Sequence, residues 1–428
     1  MNYLRQEGIF DQGILNRSHI TIIGASEIGN NLALYLCGLG IGGLTIIDKE
    51  NVMQANCIFS PNDRGKNKAM ALCEKVNQIN ADIETEAISI GFEKSMIKNK
   101  DTIVNATNKI IDFSGISQPM FIASASNYCA SFTTDQKNLP EFMGQTQGPL
   151  PSSMISAILL DEIRKSIMPL EGDIKFKGRF NYHLDSKFSH NREIKFLNGI
   201  SADFSNDNAL IVGAGGIGTY VYMNLLGFNF KNIHIFDGDS IEDHNLNRQV
   251  MFYKAIGKNK AETLVRRLSH LAPKTESRFA NLFIDESFLD RHLSKYNFIF
   301  GCVDSWKTRK MLSDYAVRYS IPFIDGTVSA FGAGAYVYVP EKTACLDCQL
   351  DYTHLIKESK NAIGTCLLAA NSNVVMNNAL IGSYMASLAR DIKLNRELVY
   401  SNKFRYNSKK GRIDLVKSPG PCDCGSKK

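Results

Sequence analysis

The chain has 428 residues, enough for two or three domains, and 44% of them are hydrophobic, as large buried cores require. Its net charge of +6 arises from 49 basic and 43 acidic residues that form no dense basic block, so we expect neither nucleic acid nor a membrane surface as a partner. With no signal-peptide pattern at the start and no unbroken apolar span of about 18 residues, we expect a cytoplasmic protein.

The first predicted elements are an apolar β run at residues 19–23, a glycine-rich turn, GASEIG, at 24–29, and an amphipathic helix. A second β run ends in Asp48, and strand and helix patterns then alternate. This order predicts a doubly wound, mostly parallel α/β sheet with helices on both faces. The polar residues 135–153, rich in Pro and Gly, predict a loop, and the expected domain boundary lies within 172–208.

The same order of elements is repeated in the second half of the chain. Gly24, Gly29 and Asp48 match Gly213, Gly218 and Asp237 without gaps, and GKNKAMAL at 65 matches GKNKAETL at 257. A repeat of this length indicates two copies of one domain. We therefore predict two tandem Rossmann-like domains, residues 1–190 and 191–428.

The glycine loop of the second copy, GAGGIG, has the spacing of a phosphate-binding turn. Its glycines let backbone amides at a helix N-terminus approach a polyphosphate, and Asp237, at the end of the next β run, suits a ribose. The four glycines are Gly213, Gly215, Gly216 and Gly218. Alone, these features fit a nicotinamide-dependent oxidoreductase equally well, or a tight turn that binds nothing.

The residues after Asp237 favour a site that cleaves a triphosphate. Arg248 and Lys260 supply positive charge for phosphates and a leaving pyrophosphate, which a hydride-transfer enzyme does not need. Asn245 and Gln249 belong to the same cluster. Asp304 ends a later apolar run at the expected carboxyl edge of the sheet, where it is a candidate Mg²⁺ ligand, a helix N-cap, or both.

Together, GAGGIG, the DxD…NLNRQ segment, GKNKA and CVDSWKTR resemble the ThiF/MoeB/HesA superfamily, to which ubiquitin-activating enzymes belong. The matching motifs cover most of residues 205–424. The resemblance implies an adenylyltransferase that binds ATP and Mg²⁺ and adenylates the C-terminal carboxylate of a small protein or peptide, often a β-grasp protein ending in Gly-Gly. It also implies that Asp237 holds the ribose and Asp304 the metal. By the same resemblance, Asn245, Arg248 and Lys260 hold the phosphates, with Gln249 beside them.

Two close pairs of cysteines predict a closed zinc site. Cys345 and Cys348 have C-x-x-C spacing, and Cys422 and Cys424 lie near the C-terminus. The resemblance supports a structural Zn²⁺, although many relatives use two C-x-x-C pairs and the second pair here is C-x-C. Buried or redox-active pairs are the alternative.

Two further cysteines have different expected roles. Cys366 lies where several members of the superfamily carry a cysteine that forms a thioester or persulfide, so it is a candidate nucleophile for the adenylate. A small apolar helix cap is the alternative for Cys366. Cys302, in an apolar strand, is expected in the core.

The first copy has lost the triphosphate side of this pattern. Ser26 and Glu27 replace Gly215 and Gly216, ANCIF replaces LNRQVMF, and Asn108 stands opposite Asp304. Asp48 and Lys68 remain, but a carboxylate in the loop repels phosphate. We expect this copy not to turn over ATP.

The segment YLRQ at residues 3–6 is present only in the first copy. It resembles the superfamily's N-terminal Tyr-x-Arg-Gln, whose Arg reaches into the partner's ATP site, and active and inactive halves also occur together in large ubiquitin-activating enzymes. We therefore predict an internal pseudo-dimer in which Arg5 completes the active site of the second domain, with a further homodimer left open. An exposed Arg in a frayed terminus is the alternative.

The predicted function is ATP-dependent adenylation of the C-terminus of a ubiquitin-like or sulfur-carrier protein, with or without a later thioester. Modification of a ribosomally made peptide, as in microcin-type maturation, is the alternative within this class. A nicotinamide-dependent oxidoreductase and a non-catalytic scaffold are the alternatives of other classes.

Overall fold

A computed structural model of the chain describes residues 1–98, 101–136, 147–185, 187–190, 201–361, 373–397, 402–417 and 419–425. These residues form two eight-stranded sheets with flanking helices. The first sheet comprises β1 (His19–Ile23), β2 (Gly43–Ile47), β3 (Glu84–Ile88), β4 (Thr102–Asn105), β5 (Met120–Ala125), β6 (Cys129–Thr133), β7 (Arg179–His183) and β8 (Lys187–His190). Its helices are α1 (Gln12–Asn16), α2 (Glu27–Leu39), α3 (Lys68–Ile79) and α4 (Pro149–Ile167).

The second sheet repeats this plan with additional helices. Its strands are β9 (Asn208–Val212), β10 (Asn232–Phe236), β11 (Glu276–Ala280), β12 (Phe298–Gly301), β13 (Phe323–Ser329), β14 (Gly332–Tyr338), β15 (Asn402–Asn407) and β16 (Arg412–Lys417). The helices are α5 (Gly216–Leu225), α6 (Lys260–Leu268), α7 (Glu286–His292), α8 (Trp306–Tyr319), α9 (Leu346–Leu350), α10 (Tyr352–Asn361) and α11 (Val375–Lys393). Of the helices in the described ranges, none combines the length and apolar character that a bilayer crossing requires.

Both sheets have the same strand order. The first runs β3-β2-β1-β4-β5-β6-β7-β8 and the second β11-β10-β9-β12-β13-β14-β15-β16. The first five strands of each are parallel and the last three antiparallel. The predicted α/β class with two tandem Rossmann-like domains is thereby confirmed, and the carboxyl ends of β9, β10 and β12 meet at one edge, where ligands bind in such folds.

The two domains differ on their outer faces. In the second, α7 and α8 cover a cluster that includes Leu210 and Val212 of β9. In the first, the described residues between β3 and β6 contain no α-helix, and side chains such as Phe113 and Phe92 cover the sheet instead. The expected helices on both faces are therefore observed in the second domain only.

One local prediction was wrong. The loop expected at 135–153 ends earlier, because α4 begins at Pro149 with Gly148 as its N-cap. Proline is favoured in a first helical turn, whose N–H groups have no intrahelical partner. Residues 137–146 lie outside the described part of the chain.

The two domains share one hydrophobic core. A single cluster includes Leu36 of α2, Ile158 of α4, Val221 of α5 and Leu388 of α11. Tyr35 and Tyr220 pack edge to face across the interface with centroids 5.6 Å apart. This packing joins the two domains through helices α2, α4, α5 and α11.

Candidate functional site

Two glycines of the GAGGIG loop are required by close packing. Gly213 has a φ of +98°, and a Cβ at Gly218 would lie 1.9 Å from the carbonyl oxygen of Gly213. Gly24 and Gly29 of the first domain show the same geometry, with a φ of +100° and a distance of 2.0 Å. These glycines therefore build the turn in both domains, whether or not a ligand binds.

The two central glycines have different surroundings. A Cβ at Gly215 would meet only Gln249 Nε2, at 3.7 Å, whereas one at Gly216 would lie 2.3 Å from Asn378 Oδ1. The fold thus leaves room for a side chain at Gly215, and the first domain has Ser26 at the matching position. The space beside Gly215 is available to a ligand.

Asp237 holds the glycine turn in place. Its carboxylate accepts hydrogen bonds from the backbone N–H of Ala214 (2.6 Å) and of Asp239 (2.8 Å). Burial raises the pKa of Asp237, and Lys260 opposes that shift. Asp48 makes the matching bond to Ala25 N (2.7 Å) in the first domain. Because the contact occurs in both domains, the ribose-binding role of Asp237 remains a prediction.

The basic residues predicted to bind phosphate all lie within electrostatic reach of one histidine, His244. Burial and then Arg5 lower the pKa of Arg248 to about 10, and Asp304 partly offsets the shift. His244 has a lowered pKa because of burial, Arg5, Arg248 and Lys260, with Glu242 acting in the opposite direction. The structure therefore brings Arg5, Arg248, Lys260 and Asp304 to one site, together with a histidine that the sequence analysis missed.

Local contacts orient two of these cations. Arg248 is 8% exposed and its Nη1 donates to the His244 carbonyl (2.8 Å). Lys260, the first residue of α6, donates to Asp239 at 2.8 Å. Lys68 begins α3 in the same way and pairs with Glu50 at 2.8 Å.

Two amides complete this part of the site. Asn245 is buried, and its Oδ1 accepts from Glu242 N at 3.0 Å, which fixes the turn before Arg248. Gln249 is also buried, and its Oε1 has no hydrogen-bond partner among the described residues.

Asp304 is exposed just beyond β12, but it is not a helix cap. The N-cap of α8 is Ser305, whose hydroxyl accepts from Thr308 N at 3.2 Å, so that alternative for Asp304 was wrong. Serine is a favoured N-cap because its hydroxyl accepts a hydrogen bond from a backbone N–H in the first turn. The Asp304 carboxylate is therefore not used as the cap and is available to a ligand. Arg309 fixes the turn, since it donates to Val303 O and forms a buried ion pair with Asp325 at 2.5 Å.

Arg5 reaches the site from the first domain. Tyr3 and Gln6 anchor the segment, with Tyr3 OH accepting from Asn80 Nδ2 (2.8 Å) and Gln6 donating to Leu39 O (2.9 Å). Arg5 is half-buried, and its carbonyl accepts from Asn373 N of the second domain at 3.2 Å. The alternative of a frayed, exposed terminus was wrong.

In the first domain the corresponding helix N-terminus is blocked by protein atoms. Gln147 Oε1 accepts from Ile28 N of α2 at 2.8 Å, and Gln147 Nε2 donates to Ala106 O at 2.7 Å. Glu27, the first residue of α2, accepts from Asn56 at 3.2 Å, and burial raises its pKa.

Asn108, opposite Asp304, is buried and structural. It exchanges two hydrogen bonds with the backbone of Ala125, of 2.6 and 3.0 Å. Its side chain thus holds the end of β5.

The four cysteines predicted to bind zinc come together. Their sulfur atoms all lie within 4.8 Å of one another, despite the C-x-C spacing of Cys422 and Cys424. Backbone N–H groups of Cys345 and Cys348 point to Cys422 Sγ (3.2 Å) and Cys345 Sγ (3.5 Å). Burial raises the pKa of Cys422, but hydrogen bonds from Cys345 and Cys424 outweigh it and lower the pKa to about 7. Four thiols this close, with such support, suit a tetrahedral metal ion.

Of the two other cysteines with predicted roles, Cys302 lies in the core and Cys366 lies outside the described residues. Cys302 is 8% exposed within the hydrophobic core, and burial raises the pKa of its thiol. Cys366 lies outside the described residues, so its role stays a prediction.

Several residues at the site were missed because they lie far from the motifs in sequence. Gln147 stands two residues before α4, and Asn373 stands two residues before α11, the matching helix. Asn378 and the pair Arg309–Asp325 were missed as well. A signal existed for Asn378, since two consecutive asparagines interrupt the apolar first half of that helix.

Comparison with known proteins connects this site to a family. A family model described as the ThiF family matches residues 3–113 and 191–425. The NEDD8-activating enzyme E1 catalytic subunit of Caenorhabditis elegans is 32% identical over 160 residues, which cover 34% of this chain and 37% of that protein. The adenylyltransferase and sulfurtransferase UBA4 of Vanderwaltozyma polyspora is 30% identical over 131 residues, 30% of this chain and 29% of that protein.

This chain therefore spans well under two thirds of either relative. A crystal structure of E. coli MccB with MccA-N7isoASN is 23% identical and covers 52% of this chain and 68% of that one, with a TM-score of 0.45.

Proposed function

Because the chain belongs to the ThiF family, we propose that its second domain, residues 191–428, binds Mg-ATP and adenylates the C-terminal carboxylate of a small protein or peptide. The proposed substrate is a ubiquitin-like or sulfur-carrier protein of the β-grasp class that ends in Gly-Gly. The matched relatives named for NEDD8 activation and for adenylyl and sulfur transfer support this choice.

The contrast between two helix N-termini carries the proposal. Gln147 occupies the N–H of Ile28 at the start of α2, whereas no side chain of the described residues accepts from Ile217 N at the start of α5. Free N–H groups at a helix N-terminus bind phosphate. Gln249, next to Arg248 in sequence, faces Gly215 at this terminus, and Lys260 acts on Asp237, which binds the same loop. These contacts support the second domain as the proposed catalytic one and the first, residues 1–190, as the inactive one.

Positioning and charge neutralisation supply the proposed catalysis. A substrate carboxylate oxygen attacks the α-phosphorus, the bond from that phosphorus to the bridging oxygen breaks, and pyrophosphate leaves with the bond's electron pair. Arg248, Lys260 and Arg5 neutralise charge on the phosphates and the leaving group. Asp237 is the proposed partner of the ribose, with Asn245 and Gln249 beside the phosphates.

The proposed Mg²⁺ ligand is Asp304. Mg²⁺ in nucleotide sites is held by one or two carboxylates together with phosphate oxygens. The exposed carboxylate of Asp304, at the carboxyl edge of β12 and within electrostatic reach of Arg248, fits that donor set. Bound there, Mg²⁺ would add positive charge against the phosphates.

Zinc is the proposed metal of the four-cysteine cluster. Thiolate ligands favour Zn²⁺, and a closed set of four is typical of a structural site without an open position. Such an ion would fasten residues 419–425 to α9. Few cysteines for this length and a thiolate metal site together favour a reducing compartment, so a cytoplasmic location is proposed.

Cys366 is the proposed nucleophile of a later step. Its thiolate would attack the acyl carbon of the adenylate, and AMP would leave as a thioester forms. Cys366→Ala would then abolish the thioester and leave ATP–pyrophosphate exchange intact.

The proposed function is tested by ATP–pyrophosphate exchange with the full chain, Mg²⁺ and candidate substrates: Gly-Gly-ending β-grasp proteins in one arm and short peptides in the other. Lys260→Ala should abolish exchange, while Lys68→Ala, at the matching position of the first domain, should leave it unchanged. Exchange that survives both Lys260→Ala and Arg248→Ala would rule out the proposed site. Exchange with peptides alone would assign the chain to peptide modification.

A further inference from the structure

The backbone of Arg5 is held by a residue that belongs to none of the sequence motifs. Arg5 O accepts a hydrogen bond from the backbone N–H of Asn373, just before α11. Tyr3 and Gln6 anchor the segment to the first domain on either side of Arg5. The contact with Asn373 is therefore a point at which the second domain fixes Arg5.

Asn378 connects that point to the glycine loop. Its Nδ2 donates to Asn373 Oδ1 and, at 2.8 Å, to Val374 O, so one carboxamide fixes both residues before α11. The other end of this carboxamide faces Gly216, where a Cβ would lie 2.3 Å from Oδ1. Asn378 is fully buried, and its Oδ1 has no hydrogen-bond partner among the described residues.

The first domain lacks this connection. The repeat pairs Asn378 with Ser153, whose hydroxyl bonds instead to Tyr35 OH and Ser383 Oγ, each at 2.8 Å. Gln147, which like Asn373 lies two residues before its helix, turns its side chain to Ile28 N. The paired asparagines thus occur only beside the helix N-terminus that is free.

We propose that Asn378 is a positioning residue, which holds Asn373 and through it Arg5 at a fixed distance from the N-terminus of α5. The proposal rests on the proposed function, because that terminus is the proposed phosphate site. A carboxamide suits the role because its two N–H groups reach the Asn373 side chain and the Val374 carbonyl and it carries no charge, whereas a carboxylate beside Gly216 would repel phosphate.

The first test needs no catalysis and uses hydrogen exchange of residues 3–10 in the full chain without nucleotide. Asn378→Ser introduces the residue of the first domain and should raise exchange in that segment. Asn377→Ser is the matched control, since Asn377 is equally buried but donates to Ser329 O (2.9 Å) and Ala330 O (3.2 Å). Equal exchange of residues 3–10 in both variants and the parent would overturn the proposal.

The second test asks whether the effect acts through Arg5. In ATP–pyrophosphate exchange, Asn378→Ser should lower kcat about 10- to 100-fold, the order expected for a misplaced catalytic group. Added to Arg5→Ala, it should cause no further loss, because coupled residues are not additive. Losses that multiply in the double variant would overturn the proposal.

Two controls keep these outcomes distinct. Asn373→Ala removes the side-chain oxygen that accepts from Asn378, at a half-buried position, and should reproduce both effects. It replaces Asn378→Ser if that variant does not fold. A parent chain without exchange toward any partner would refute the proposed function, while hydrogen exchange would still decide whether Asn378 positions Arg5.

Discussion

Gly215 and Gly218 lie in one short loop but are glycine for different physical reasons. Gly218 has no room for a Cβ, since the carbonyl oxygen of Gly213 would lie 1.9 Å away. Gly215 has room, with Gln249 Nε2 as its nearest neighbour at 3.7 Å and a φ of −73° that any residue adopts. The fold explains the first glycine, and a bound phosphate would explain the second.

Substitution should separate these two roles. Gly218→Ala should lower the free energy of unfolding by about 1–3 kcal/mol or more, because overpacking against backbone has no flexible relief. Gly215→Ser should change it by less than about 0.5 kcal/mol yet weaken ATP binding, because the new side chain fills the phosphate approach. Urea unfolding and ATP titration of both variants measure this. Unimpaired ATP binding by Gly215→Ser would contradict the assignment of that space to phosphate.

At this scale the sequence identified the residues that belong to local motifs. The glycines, Asp237, Arg248 and Lys260 follow from spacing within one strand–turn–helix unit. Gln147 and Asn378 could not be found that way, because their contacts join segments more than a hundred residues apart along the chain.

Whole elements were predicted well where the two copies of the domain agree. The strand order and both glycine-loop helices follow from alternation of apolar runs, which the repeat provides twice. The missing outer helix of the first domain was not foreseen, because buried side chains on an irregular segment leave no periodic signal. For strand β10, the structure predicts how stability depends on pH.

His234 in β10 should make the second domain sensitive to acid. Burial, then Arg278 and His292, lower the pKa of His234 from 6.5 to about 4, so between these values the unfolded chain binds a proton that the folded chain does not. The stability that His234 contributes is therefore present above pH 6.5 and lost as the pH falls toward 4.

His234→Phe, which retains an aromatic ring beside Phe236, should flatten this pH dependence. Urea unfolding at pH 7.5 and pH 5 measures it, with exposed His270→Gln as the control for removing a histidine. The same loss of stability at pH 5 in parent and His234→Phe would exclude His234 as the cause.

The cysteine cluster predicts a metal-dependent attachment of the C-terminal segment to α9. The purified chain should contain one zinc ion, and Cys345→Ser should lose it, because the remaining three thiols no longer close a tetrahedron. Metal analysis and proteolysis of residues 419–425 measure both effects. Cys348→Ser, at the exposed cysteine of the cluster, should also lose the zinc ion. Cys302→Ser, at a cysteine in the core, should retain it. Full zinc content in Cys345→Ser would exclude the site.

At the scale of the molecule, each domain holds the other through buried charge. Asp161 of α4 is fully buried and accepts from Tyr406 OH (2.6 Å), in β15 of the second sheet, and from Ser408 Oγ (2.7 Å), just beyond that strand. In the opposite direction, Lys187 of β8 pairs with Asp391 of α11. Since the core is also continuous, we expect the domains to unfold together.

Tyr406→Phe tests this coupling, because it removes one donor from a buried carboxylate and keeps the ring. The free energy of unfolding should fall by about 1.5–3 kcal/mol, the range for hydrogen bonds to charged groups. Tyr319→Phe, whose hydroxyl donates to Asp290 O at the surface, should cost far less. Fluorescence of Trp306, the single tryptophan, reports on the second domain, and hydrogen exchange of α4 reports on the first. In Tyr406→Phe, both probes should report the same loss of unfolding free energy, because one cooperative unit has one stability. A loss seen by Trp306 fluorescence alone would mean that the first domain folds independently. Arg5 would then reach the second domain only when the two folded domains dock.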